Sequence, residues 1–150
     1  MFDHNLKPSD RATVLAKLDP VSQAAATVTT AWVKASDYYK HLFMLAVGAL
    51  GASATVDAKL QQATDGSGTG AKDITGAAIT QLTKAGSDDN KLVLINLSTG
   101  KLDVDNDFDY VRLSVTVATA ACLIQALHLG IEPRFGIPSH IAAVDEVVTV

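Results

Sequence analysis

Basic residues never gather into a block in this 150-residue chain, glutamate is nearly missing, and there is one cysteine and one tryptophan. Each scarcity excludes something. Lys and Arg number 12 against 16 Asp and Glu, for a formal net charge of −4. Affinity for nucleic-acid phosphates is built largely from Lys and Arg, so no nucleic-acid partner is expected. The lone Cys122 cannot close an intramolecular disulfide. It sits in Ala120-Ala121-Cys122-Leu123-Ile124 with no basic neighbour in sequence, and reads as a small buried hydrophobe. Leu42–Ala52 is too short to span a bilayer. The opening residues, with Asp3, His4 and Pro8, lack the charged start and apolar run of a signal peptide. No membrane partner is expected, and the chain reads as soluble and cytoplasmically made. Of the 16 acidic side chains only Glu132 and Glu146 are glutamate. Aspartate bonds its own backbone and favours turns over helix interiors, which suits a loop-rich β fold.

What is present is alternation. Ser53–Gln61 changes between polar and apolar or small residues at every step. Tyr110–Val117 does the same, with Val111, Leu113, Val115 and Val117 on one face and Arg112, Ser114 and Thr116 on the other. A period of two makes one wet and one buried face, the mark of an antiparallel sheet. Further strand candidates are 27–33, 40–47, 74–82, 92–97 and 123–129. The 40–47 run is apolar at both parities, so it reads as covered on both faces. Turn signals separate them at Gly66-Ser67-Gly68, Gly86-Ser87-Asp88-Asp89-Asn90, Gly100 and Asp105-Asn106. The fold class is all-β, an antiparallel β-sandwich or barrel, in one domain of 29–130.

The ends differ from this core. Residues 1–28 read as an N-terminal arm. Ser9 or Asp10 is placed to cap a short helix with Val14, Leu15 and Leu18 on one face, and Asp19-Pro20 ends it. Residues 131–150 read as an extended C-terminal tail, since Pro133 and Pro138 exclude a central strand. Yet Ile141, Val144, Val147 and Val148 are apolar. Together with Val14, Leu15 and Leu18 they are the candidate partner-contact residues, because a monomer rarely leaves so much apolar surface uncovered. Folding back of both tails onto their own sandwich is the alternative.

Chemistry-bearing motifs are weak. Asp103-Val104-Asp105-Asn106-Asp107-Phe108-Asp109 has Phe108 and Ser114 where an EF-hand needs Gly and Glu, and reads as a solvated turn. Thr64–Lys72 lacks the Gly-Lys-Ser/Thr of a phosphate loop and reads as a hairpin connection. His4, His41, His128 and His140 have no metal-ligand spacing, and no nucleophile elbow is present. Trp32, Tyr38 and Tyr39 invite a sugar-stacking reading, but Trp32 reads better as core or interface. No catalytic residue, metal or cofactor is assigned, and the chain is not expected to be an enzyme.

The chain resembles a group of small proteins of tailed bacteriophages often encoded near the major capsid protein. The resemblance spans about Ala31–Gly130. It rests on Trp32-Val33-x-x-Ser36-Asp37-Tyr38, Gly48-Ala49-Leu50-Gly51-Ala52-Ser53-Ala54-Thr55-Val56-Asp57-Ala58, Gln62-Ala63-Thr64-Asp65, Gly68-Thr69-Gly70-Ala71-Lys72-Asp73-Ile74-Thr75-Gly76 and Tyr110–Val117. It implies an eight-stranded jelly roll acting as a cement or decoration protein on the capsid surface of a virion. The implied partners are the major capsid protein and the chain itself, as homodimer or trimer. A carbohydrate-binding module of a head or tail fibre, and a head–tail joining protein, are the alternatives.

Overall fold

A computed structural model describes residues 6–149; His4, with the rest of 1–5, and Val150 lie outside the described residues. After a single helical turn, α1 (Pro8–Arg11), the chain is built from strands. They are β1 (Ala12–Gln23), β2 (Ala26–Thr29), β3 (Val33–Lys34), β4 (Tyr38–Leu50), β5 (Thr55–Ala63), β6 (Lys72–Ala78), β7 (Leu82–Thr83), β8 (Lys91–Ser98), β9 (Tyr110–Ala118) and β10 (Cys122–Pro133). All pairings are antiparallel.

Sheet A has the order β1-β10-β4-β8, and sheet B the order β2-β9-β5-β6, with β3 also on β9 and β7 also on β5. Taking β2 with β3 and β6 with β7 as two interrupted strands, each sheet has four. First strand pairs with last, and the chain passes repeatedly between sheets. This is the double Greek key of a jelly roll.

The alternating segments behave as their pattern dictates. Val56 and Leu60 of β5 and Val111, Leu113, Val115 and Val117 of β9 are all buried between the sheets. The opposite face of sheet B is polar: Asp57 lies beside Thr116, Lys59 beside Ser114, and Gln61 beside Arg112. Sheet A supplies Phe43, Leu45, Val47, Ile124 and Ala126 to the same core.

The expected arm over 1–28 is corrected. Ala12–Gln23 is a strand of sheet A, paired along β10 from Ala12 opposite Ile131 to Gln23 opposite Cys122. Val14, Leu15 and Leu18 therefore share no helix face. An isolated short helix is marginal in water, whereas β10 offers an open edge to pair with. Two register shifts, at Val14/Ala16 and Leu18/Val21, break the alternation. The second holds Asp19-Pro20, which an edge strand tolerates because Pro20 has no N–H to give. The tail is corrected too. β10 continues through Glu132 to Pro133, opposite Tyr38, so the extended segment begins at Arg134. β10 is a central strand, and the proline occupies its last position.

Candidate functional site

The seven candidate contact residues end up in three settings. Leu18 pairs with Ala126 and packs against the core, so it is withdrawn from any contact surface. Leu15 is the extra residue of the first register shift and lies against Gly130. Val14, on the free edge of β1, is brought to the tail. Its N–H donates to His140 Nδ1 at 3.0 Å, and its carbonyl accepts from the Ile141 N–H at 3.0 Å. The Val144 N–H then donates back to the Ile141 carbonyl. The tail thus folds onto its own sandwich as far as Val144. Beyond it, Val147 and Val148 project, the latter 73% exposed.

Two apolar features escape the motif reading. The first is the turn at the start of the tail, where Phe135 is 83% exposed and Ile137 is also uncovered. Beside it is a groove of about 580 Å³ lined by Leu6, Asp10, Arg11, Tyr39, Pro133 and Ile137 among others. The second is the outer face of sheet A. Register sets Val14, Leu129, Leu42 and Asn96 in one row across four strands, and Lys17, Leu127, Met44 and Leu94 in the next. Alternation turns these side chains away from the core that holds Phe43, Leu45 and Ala126. The signal in the sequence is apolar residues at both parities of 40–47, 92–97 and 123–129.

The motifs considered for ligands resolve into structure. Asp103 pairs with Lys72 and accepts from Asn106 Nδ2 at 2.9 Å, and the Lys72 bond holds its carboxyl below the usual range. Asp109 points elsewhere, accepting from the Ser36 N–H at 2.9 Å and the Ser36 hydroxyl at 2.7 Å. The carboxylates of this turn do not converge. Among the described residues no group of three or more His, Cys, Asp or Glu is placed to hold a metal ion. In the 64–71 loop Asp65 acts as the internal anchor. It accepts from the Thr69 hydroxyl at 2.6 Å and from the Ser67 and Thr69 N–H groups, and the Thr69 hydroxyl is the main cause of its lowered pKa.

The three aromatics do not form a platform. Trp32 lies on sheet B beneath the Arg112 guanidinium, 4.3 Å from its ring centre. Tyr38 is buried at the start of β4, where its ring lies edge-on to His41. Thr13 Oγ1 is near the Tyr38 hydroxyl but makes no hydrogen bond of ordinary geometry. Tyr39 faces out under Arg134, whose guanidinium stands 4.4 Å from its ring centre. His41 and His128 are enclosed in the sandwich interior, and His140 serves the β1 edge. Cys122 is buried in the core.

No protein-family profile matches the chain, and no curated protein matches it. Among solved structures, the chain is similar to one from the cryo-EM structure of broad bean stain virus. The two are 12% identical with a TM-score of 0.39, over 85% of this chain and 68% of that one.

Proposed function

We propose that this chain is a structural protein of a virion, a cement or decoration protein that stabilises a tailed-phage capsid by bridging major capsid subunits. The observation that carries the reading is a one-sided distribution of apolar surface on a closed jelly roll. Sheet B is polar outside, with Asp57, Lys59, Gln61 and Arg112. Sheet A is apolar outside, and Phe135, Ile137, Val147 and Val148 stand uncovered along the tail. Exposed apolar patches of this kind mark surfaces that bind other proteins. A shell gains stability from whatever binds only its assembled form, and a rigid body with adhesive segments is suited to that task. The phage-like motifs of 31–130 support the same reading. The carbohydrate-binding alternative is weakened by the separation of Trp32 from Tyr38 and Tyr39.

Quantitative gel analysis of purified virions tests the proposal. Hundreds of copies per particle are expected for a cement protein. A dozen or fewer would point to a joining ring, and absence from the particle would overturn the reading. Shells stripped of the protein should regain thermal stability when it is added back.

A further inference from the structure

We infer that the outer face of sheet A is the interface with a second copy of this chain, packed face to face about a two-fold axis. The inference rests on the reading above and divides its apolar surface: the outer face of sheet A goes to a second copy, and Phe135, Ile137, Val147 and Val148 along the tail are left for the capsid protein. Three observations lead to it.

The face is dry by composition. Leu42 and Met44 of β4, Leu92 and Leu94 of β8, and Leu127 and Leu129 of β10 lie side by side in register. Leu92 is 61% and Leu94 52% exposed in the single chain. An antiparallel sheet with a solvated face alternates polar with apolar, as sheet B does, and this sheet does not. At its far end Leu123 lies across Gly48, where a Cβ would come within 2.9 Å of the leucine Cβ, so the surface there is smoothed by a glycine.

The face is also free of charge where it is flattest. Between Lys40 and Lys91 the outward positions of β4, β8 and β10 hold Leu, Met, Ala, Gly, Asn and Gln only. A neutral face brings no like charges of the two copies together, whereas a patch of one sign on a two-fold axis would meet its own sign. A two-fold interface must be self-complementary, and a flat apolar sheet face meets that requirement.

The size is right. The three charge-free strands, spaced about 4.8 Å apart over the eight positions at which β4 and β8 are paired, span roughly 400 Å² in projection, and β1, with Lys17 at the rim, brings this to roughly 500 Å² before side-chain relief is added. A stable pair needs about 600–800 Å² per partner, and two stacked sheets pack at the usual distance of roughly 10 Å. The tail leaves the face open, since His140 and Ile141 attach at the edge of β1.

Light scattering of the full chain across a concentration series tests this. The expected mass is twice the 15.7 kDa protomer. Leu94→Glu and Leu123→Glu, on separate strands, should each give a folded monomer, while Thr116→Glu on the wet face should leave the dimer intact. Where a glutamate variant does not fold, Leu94→Ala and Leu123→Ala take its place, with self-association weakened roughly 30-fold or more at a central position. A monomeric wild type overturns the proposal, as do folded variants that dimerise unchanged. A monomer whose capsid binding is lost in Leu94→Glu assigns the face to the capsid protein and overturns it too. Because the free protein is measured, failure to find the chain on virions is a separate result.

Discussion

His128 Nε2 lies 2.8 Å from His41 Nδ1 inside the sandwich, with both side chains almost wholly enclosed. His41 Nε2 is 3.1 Å from the Ala35 carbonyl, which can only accept, so the proton sits on Nε2 and His41 Nδ1 accepts from His128. His128 Nδ1 is then bare and has no hydrogen-bond partner among the described residues. Phe43 stacks on His128 at 4.0 Å and Tyr38 closes on His41, so little around the pair welcomes a charge. Burial is the main cause that lowers both pKa values. His41 lowers His128 further; for His41 the Ala35 carbonyl and Asp109 oppose burial, while Arg134 adds to it.

A pH dependence follows. Both groups take up a proton less readily in the fold than in the unfolded chain, where they titrate near 6.5. Their contribution is complete above that pH and is lost as the pH falls below it, by about 1.4 kcal/mol per pH unit for each histidine that stays neutral in the fold. The melting temperature should drop between pH 6.5 and 5, above the range where carboxylates titrate. His128→Leu should flatten that slope. A melting temperature constant over this interval would sink the idea.

Leu113→Asp should abolish folding. Leu113 is fully buried opposite Leu60, and an unpaired buried carboxylate costs several kcal/mol of a total that is only about 5–15 kcal/mol. Far-UV circular dichroism should lose its β signature. Arg112→Ala, one residue away on the wet face, should stay folded and lose about 0.5–1 kcal/mol with the contact to Trp32.

Gly68→Ala should lower stability by about 2 kcal/mol, read by thermal melting. Gly68 has φ +87°, and a Cβ there would stand 2.5 Å from Trp32 Nε1. Gly100→Ala, with open space at its Cβ, should be close to neutral and serves as the control.

A chain ending after Pro133 should fold, because it keeps both sheets, and should lose capsid binding if the tail is adhesive. A fragment from Thr27 to Gly130 should not fold. It lacks β1, and the removal bares one edge of β10 from Cys122 to Gly130. Circular dichroism and amide exchange of the two distinguish these outcomes.

The core of sheet B was legible in the sequence because its outer face is wet. Water on one side and burial on the other write the period of two into Thr55–Ala63 and Tyr110–Ala118. β1 was hidden for the opposite reason. Its two register shifts scramble the period, and Val14, Leu15 and Leu18 then mimic a helical stripe. The strand missing from an eight-stranded count lay inside what read as an arm. The Val14–His140 bond joins residues 126 positions apart, with no local signal at either end. The dry face of sheet A was visible only as excess apolar character in 40–47, 92–97 and 123–129, since composition cannot say what lies above a sheet.

The central place of β10 in sheet A sets an order of events during synthesis. β1 and β4 both hydrogen-bond to β10 and not to each other. A ribosome adding about 5–20 residues per second releases β4 several seconds before β10. Through that interval Leu42–Val47 can pair only with β8, once that strand too has emerged, and β1 has no strand at all. Non-local pairing of this kind is slow, and an unpaired apolar strand is the feature most prone to join another chain. Nascent chains held close together on one message would therefore be vulnerable to exchanging β1 between neighbours, and the yield of active protein should rise when initiation is slowed.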